Sequence, residues 1–121
     1  MRLFKAINTT RHNTLAAQVK LADQFLSRLQ GLLGTTSLPA GQGLLLLPCN
    51  SIHSIGMAYS IDAIFLDKEN TVVNLLSDFK PLRISAVYHK AHSCLELPSG
   101  TIINTSTAIG DKLVFEELMQ P

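Results

Sequence analysis

Residues 61–76 read IDAIFLDKENTVVNLL and contain two short apolar segments on either side of a polar tetrapeptide. The first segment, Ile61–Leu66, and the second, Thr71–Leu76, each have the length and the β-branched or aromatic content of a β-strand. The connecting residues 67–70 are of types that favour turns. The pattern therefore predicts a β-hairpin, and we place it at the centre of the fold.

Further short strands are predicted on both sides of this hairpin, separated by Gly, Pro, Asn and Asp. They are Arg2–Ile7, Thr14–Leu21, Leu44–Leu47, Ile84–Tyr88, Ser93–Leu97 and Lys112–Glu116. The first two are expected to form a hairpin, and the uniformly apolar Leu44–Leu47 strand is expected to be buried on both faces. Residues 101–108 are compatible with a short helical turn or with extended chain. The fold class that follows is mainly β, a jelly-roll-like sandwich or barrel.

One segment has helical rather than strand periodicity. Apolar residues recur at helical spacing between Ala22 and Leu33. Asp23 is suited to cap the start of a helix, and Gly34 is suited to end it. The sequence therefore predicts one α-helix over about residues 23–33, whose apolar stripe covers the core of the domain.

Length and composition limit the class of protein. The chain has 121 residues and a mass of 13.2 kDa, which predicts a single domain over residues 1–121. With 10 Lys and Arg against 9 Asp and Glu the net charge is +1, so no nucleic-acid partner is predicted. No segment has the length and apolarity of a signal peptide or a membrane span, which predicts a cytoplasmic protein.

Asp62 stands out because it lies in an otherwise apolar strand. Alternation places it on the same face as Ile64 and Leu66, where an unpaired carboxylate is costly. We expect Arg28, reaching from the predicted helix, to form an ion pair with Asp62. The alternative is that Asp62 caps backbone N–H groups at the start of its strand.

Glu96 is a second acidic residue in a predicted strand. It alternates with Leu95 and Leu97, so its side chain points to the opposite face from theirs. That face is expected to be solvent, and the alternative is the mouth of a barrel.

Two cysteines and two histidines have spacings that occur in metal sites. Cys49 and His53 form a C-x3-H pattern, and His92 and Cys94 form H-x-C. Four such ligands would make a tetrahedral zinc site if the two segments are neighbours. Nothing local forces them to converge, so the sequence predicts no cofactor and leaves zinc as the alternative. In a reducing compartment both cysteines are expected to be free thiols.

Five motifs occur in a fixed order along the chain. They are residues 28–33 (RLQGLL), residues 49–67, Pro81 with Arg83, residues 95–100 (LELPSG) and residues 109–113 (IGDKL). Together they resemble DUF192, also known as UPF0127, a widespread prokaryotic family of uncharacterised proteins, over nearly the whole chain. The resemblance implies a mainly β, jelly-roll-like sandwich or barrel and no named activity. Relatives commonly carry a basic residue and a proline near Ala58 and Ser60, which this chain lacks, and many are exported or membrane-anchored.

The function predicted from these observations is a small non-enzymatic binding or accessory domain, because loops on a rigid β scaffold are common binding sites. Its ligand or protein partner is unknown. The predicted binding surface comprises Cys49, Ser51, His53, Met57, Tyr59 and Asp62.

Two other classes of function remain as alternatives. One is a metal-binding or thiol-dependent enzyme that uses Cys49, His53 and Asp62, in which a neighbouring imidazole lowers the thiol pKa. The other is an interaction protein with an exposed apolar patch at Ile52, Ile55, Met57 and Tyr59.

Overall fold

The computed structural model describes residues 2–24, 32 and 34–119. These residues form seven β-strands and one short α-helix. In chain order they are β1 (Leu3–Asn8), β2 (Asn13–Ala22), β3 (Gln42–Leu46), β4 (Ile61–Leu66), β5 (Val72–Phe79), β6 (Ser93–Pro98), α1 (Thr101–Thr105) and β7 (Leu113–Glu117). Among these described residues no helix is both long and apolar enough to cross a bilayer.

The strands form one sheet in the spatial order β5-β4-β6-β3-β2-β1-β7. All neighbours are antiparallel except β2 and β3, which run parallel. The sheet curls until its two edge strands meet at one end, where Val72 donates its N–H to the Asp111 carbonyl (2.8 Å) and Leu113 donates to the Asn70 carbonyl (2.9 Å). The result is a half-barrel.

The inner core fills the curl of the sheet. Every strand and helix α1 contribute to it, which places it on the concave face. Its buried residues are Ala6, Leu15, Ala16, Val19, Leu45, Ile64, Leu66, Val72, Leu95, Leu97, Ile102 and Leu113. Packing is tight here, since a Cβ on Gly43 would lie 2.9 Å from Leu97 Cδ2 and 3.1 Å from the Glu96 carbonyl oxygen. Glycine at position 43 therefore permits the close approach of β3 and β6.

The outer core lies on the opposite face of the sheet, beneath the loops that follow β3 and β5. Its buried residues are Ala22, Leu32, Leu44, Leu46, Ile52, Met57, Ile61, Ala63, Phe65 and Cys94. Strand β4 shows the consequence, because all six of its residues are buried. Ile64 and Leu66 enter the inner core while Ile61, Ala63 and Phe65 enter the outer core. The centre of the sheet thus has no solvent face.

The mainly β fold class is confirmed, and so are the first hairpin and the central hairpin. Burial of Leu44–Leu46 between the two cores matches the prediction for that strand. The strand predicted at residues 84–88 is wrong: Ile84 forms an isolated bridge with His53, and the following residues are loop. Residues 101–105 resolve the ambiguous segment as helix. The helix predicted over about residues 23–33 lies almost wholly outside the described residues.

Candidate functional site

Two loops that cover the outer core are joined by backbone hydrogen bonds, and we call residues 50–57 and 81–88 together the loop ribbon. Ser54 N–H donates to the Arg83 carbonyl (2.8 Å), and Ser85 N–H donates to the Ile52 carbonyl (2.9 Å). Tyr88 N–H donates to the Asn50 carbonyl (2.8 Å) at the far end. These bonds make a defined surface from two segments that are about thirty residues apart in the chain.

Ser54 fastens the ribbon from within. Its side chain is fully buried. The hydroxyl accepts the Arg83 N–H (2.9 Å) and donates to the Lys80 carbonyl (2.5 Å). Both hydrogen-bonding capacities of a buried hydroxyl are therefore used, which holds the second loop against the first.

The outer surface of the ribbon is apolar. Four large hydrophobic side chains are exposed there: Ile55 at 50%, Leu82 at 75%, Ile84 at 73% and Val87 at 52%. A further four such side chains, distributed over other parts of the described chain, are Ile103, Ile109, Val114 and Met119. Half of the exposed large hydrophobic residues in the described part of the chain thus fall within two short hydrogen-bonded segments. Such clustering marks an interaction site more often than single exposed residues do.

The charge on the same surface has one sign. Arg83 is exposed on the ribbon, and Lys90, which is also exposed, follows it. Residues 49–61 and 81–92 contain no Asp or Glu. The apolar surface is therefore set among groups that favour an anionic neighbour.

Of the six residues predicted to form the binding surface, two lie beneath it. Met57 is 9% exposed in the outer core, and Asp62 is completely buried in β4. Ser51 and Tyr59 are half-buried, and the Tyr59 hydroxyl lies 2.7 Å from the Thr35 hydroxyl. His53 is exposed on the ribbon.

The exposed apolar patch consists largely of residues other than the predicted ones. Ile52 is buried at 7% exposure together with Met57, so of the predicted set only Ile55 contributes an exposed aliphatic side chain. Leu82, Ile84 and Val87 supply the rest, and none of these three residues belongs to the predicted patch. Ile84 and Val87 belong to the strand predicted over Ile84–Tyr88, in which alternate residues would be buried. Residues 81–88 contain no run of apolar residues as long as those in the buried strands, and this feature of the sequence indicated that the segment is exposed.

Asp62 is held by two backbone N–H groups. Its Oδ1 accepts from Asp78 and its Oδ2 from Ile102, both at 2.8 Å. Ile102 lies in the first turn of α1, so the carboxylate satisfies one of the free N–H groups of that helix. Asp62 thereby joins β4 to β5 and to α1. The Arg28 partner predicted for it lies outside the described residues, and that ion pair stays a prediction.

The structure brings the two cysteines together but does not gather a metal site around them. Cys49 is half-buried and Cys94 is buried in the outer core, and neither forms a disulfide. Across the described residues, no three His, Cys, Asp or Glu side chains are grouped as ligands for a metal ion. His92 instead borders a shallow groove of about 350 Å³ with Asp67, His89 and Lys90.

Glu96 is the residue whose environment the sequence analysis predicted wrongly. It is 4% exposed rather than solvent-facing, because the loops cover the face of β6 that carries it. Burial raises the pKa of its carboxyl to about 8, and the neighbouring Cys49 adds to the shift. Burial also raises the pKa of the Cys94 thiol well above its usual value, followed by interaction with the Cys49 thiol and by the charge of Glu96. The three groups form one cluster on the outer face of the sheet.

Fold and site together define a class of small half-barrel β domains with a loop ribbon over the convex face. The model of the family DUF192, described as "Uncharacterized ACR, COG1430", matches residues 6–115, and the chain belongs to this family. A UPF0127 protein of Thermococcus sibiricus is 34% identical over 115 residues, which are 91% of this chain and 73% of that protein. A UPF0127 protein of Pyrococcus furiosus is 30% identical over 118 residues, 93% of this chain and 99% of that protein. The family identified from the motifs is confirmed.

Solved structures share the architecture. A protein of unknown function from Novosphingobium aromaticivorans has a TM-score of 0.79 at 19% identity and covers 93% of this chain and 83% of its own. A protein from Sinorhizobium meliloti has a TM-score of 0.80 at 20% identity, with coverages of 94% and 92%. At these identities the likeness shows the fold alone.

Proposed function

We propose that this protein is a binding module whose loop ribbon holds an apolar protein segment that also carries acidic residues. The observation that carries the proposal is the group of four exposed hydrophobic side chains on the ribbon, Ile55, Leu82, Ile84 and Val87. Exposed side chains of this size gain free energy when a partner removes them from water, at about 25 cal/mol per Å² of apolar area.

The scaffold favours binding at this position. The ribbon rests on the outer core through the buried residues Ile52 and Met57, and Ser54 fastens its two loops to each other. A surface that is already ordered loses little conformational entropy when a partner docks. The exposed side chains are therefore presented on a rigid base.

The acidic character of the partner follows from the charge of the ribbon. Arg83 is exposed beside the apolar group, Lys90 follows the ribbon, and residues 49–61 and 81–92 contain no Asp or Glu. Charge complementarity of this kind sets specificity and association rate more than affinity. A basic segment of equal hydrophobicity would consequently bind less well.

The test uses two fluorescent peptides of equal length, one in which leucines alternate with glutamates and one in which they alternate with lysines. Fluorescence anisotropy with the whole chain should show binding of the glutamate peptide, weakened by added salt, and much weaker binding of the lysine peptide. Equal binding of both peptides, or binding of neither, would contradict the proposal.

A matched pair of variants locates the contact. Ile84→Ser removes a side chain on the ribbon, and Ile103→Ser removes an isoleucine on α1 that is equally exposed, at 73%. Ile84→Ser should weaken the glutamate peptide roughly tenfold, as truncation of an interface anchor does, while Ile103→Ser leaves its affinity unchanged. Equal effects of the two substitutions would place the contact elsewhere.

A second matched pair of variants tests the contribution of charge to binding. Arg83→Glu should reduce binding of the glutamate peptide and increase binding of the lysine peptide, whereas Lys112→Glu, on an exposed position next to β7, should change neither. If Lys112→Glu has the same effect, the preference reflects net charge rather than the ribbon.

A further inference from the structure

The backbone holds Cys49 beside Cys94. Cys49 follows β3, where Leu46 pairs with Cys94 of β6, and Cys49 N–H donates to the His92 carbonyl at 2.9 Å. The Cys49 thiol donates to the Ser51 carbonyl at 3.1 Å and contacts the outer core that contains Cys94. An interaction between the two thiols contributes to the raised pKa of Cys94. Two cysteines that are distant in sequence thus meet as a pair.

The two thiols differ in access. Cys49 is half-buried and reachable from solvent, while Cys94 is fully buried. This asymmetry is suited to thiol–disulfide exchange, in which an accessible thiolate attacks an external disulfide and a second thiol resolves the mixed disulfide. The buried thiol needs a local proton acceptor, because burial raises its pKa.

Glu96 is placed to be that acceptor. It is the next residue after Cys94 on the same face of β6, about 7 Å along the strand, a distance that the glutamate side chain and one water molecule span. Its own burial raises the pKa of its carboxyl to about 8. A carboxyl with this pKa exchanges protons readily near neutral pH, whereas an ordinary exposed glutamate holds a proton too weakly.

We propose that Cys49 and Cys94 form a reversible disulfide by exchange with an external disulfide, and that Glu96 accepts the proton of Cys94. The Cys49 thiol loses its proton to solvent, and its thiolate attacks one sulfur of R–S–S–R, which forms the mixed disulfide and releases R–S⁻. Cys94 then passes its proton to Glu96 and attacks the Cys49 sulfur, which releases the second R–S⁻. The two released thiolates take up two protons, so the dithiol is oxidised and one external disulfide is reduced to two thiols.

Few other titratable groups surround this cluster in the described part of the chain. The flanking strands place Leu44 and Ala63 opposite Glu96, and neither side chain titrates. Tyr59 and Tyr88 pack on the outer core from the loops. His92 is half-buried two positions before Cys94, and its carbonyl accepts the Cys49 N–H. We expect the pH dependence of the second step to follow Glu96 and Cys94, and the Glu96→Gln variant separates this dependence from any contribution of His92. The proposal is independent of the one for the loop ribbon.

The first experiment treats the folded chain with oxidised glutathione and follows thiol content and mass. The wild type should lose two thiols per chain without retaining glutathione, and reduced glutathione should reverse the change. Cys94→Ser should stop at a stable glutathione adduct on Cys49. Cys49→Ser should leave Cys94 unreacted until the chain is denatured. A wild type that stops at the adduct, or that keeps both thiols while its denatured form reacts, would overturn the proposal.

The second experiment tests Glu96 by the rate at which the adduct closes. In the wild type this rate should rise with pH through about 8, as the carboxylate form increases. Glu96→Gln should slow closure at least roughly tenfold and lose that inflection, while Glu69→Gln, at an exposed turn, should behave as wild type. Retention of the wild-type rate and pH profile in folded Glu96→Gln would remove Glu96 from the step.

Discussion

Asp62 and Glu96 are two buried carboxyls on adjacent strands that occupy opposite environments. The β4–β6 ladder pairs Asp62 with Leu97 and Ala63 with Glu96, so the two acids are close neighbours in the sheet. Asp62 lies on the concave side and receives two backbone N–H groups at 2.8 Å. Glu96 lies on the convex side among thiols, and burial raises its carboxyl pKa to about 8. Both carboxyls are buried, so the difference between them is due to the groups that surround each one.

Asp62 has a structural role, whereas Glu96 lies where it can take part in proton transfer. The oxygens of Asp62 are occupied by the backbone of β5 and α1, so this carboxylate joins secondary structures. Glu96 adjoins a pair of thiols, and burial raises the pKa of its carboxyl to about 8. The two faces of one sheet therefore support different roles, and each role can be tested by substitution.

The largest effect is expected from Asp62→Ala. The buried Ile102 N–H and the part-buried Asp78 N–H lose their acceptor. Each unsatisfied group costs about 1–3 kcal/mol, with the larger cost at Ile102, so the free energy of unfolding should fall by about 2–6 kcal/mol. Urea unfolding followed by circular dichroism measures the change.

Asp67→Ala is the matched control for that loss. Asp67 also accepts two backbone N–H groups, from Glu69 and Thr71, both at 2.9 Å, but at a turn that water reaches. Its loss should cost less, about 1 kcal/mol, because water replaces the missing acceptor. Equal losses in the free energy of unfolding for the two variants would show that burial does not increase the contribution of Asp62 to stability.

Glu96→Gln should change how stability depends on pH. The folded-state pKa of about 8 exceeds the ordinary 4.5, so the folded chain holds the proton more tightly. The resulting stabilisation is fully present below about pH 4.5 and is lost as the pH rises to about 8. At about 1.4 kcal/mol per pKa unit, the whole loss reaches up to about 5 kcal/mol.

The glutamine variant carries no charge at this position, so it should be more stable than the wild type at pH 9 and differ least at pH 5. Unfolding in urea at pH 5, 7 and 9 measures how the stability of the wild type and of Glu96→Gln depends on pH, with Glu69→Gln as the exposed control. A variant whose stability falls with pH as steeply as that of the wild type would show that Glu96 does not titrate as stated.

A smaller effect is expected from Ser54→Ala on the convex side. Loss of the hydroxyl leaves the Arg83 N–H without its acceptor at 2.9 Å and should cost about 1–2 kcal/mol. Amide exchange at Arg83 should accelerate together with its neighbours on the ribbon. Ser99→Ala, which removes an exposed hydroxyl bonded to Asp78, should cost less than about 0.5 kcal/mol. Unchanged exchange at Arg83 would mean that the backbone bonds alone hold the ribbon.

Much of the sheet was predictable because local patterns and turns define it. The Asp67–Asn70 turn and the apolar segments beside it gave the central hairpin, and the Leu44–Leu47 run gave a strand buried on both faces. The prediction for Glu96 failed because it assumed one solvent face for β6. The burial of the β3 strand on both faces, already inferred from sequence, argued against that assumption.

The site was less predictable, because it depends on contacts between distant segments. Nothing near Ile84 indicates that residues 81–88 bond to residues 50–57, and this pairing is what turns single exposed side chains into one surface. Likewise, the meeting of Cys49 and Cys94 follows from the β3–β6 ladder rather than from any spacing in the chain. Strand order, which is set by the whole fold, determined both.

The position of β1 has a consequence for the synthesis of the protein. β1 lies between β2 and β7, so the first of the seven described strands in chain order pairs on one side with the seventh. Until β7 emerges, one side of β1 presents unpaired N–H and C=O groups that another chain could match. Pairing with β7 therefore covers the open side of β1 and ends the period in which that side of the nascent strand can pair with another chain.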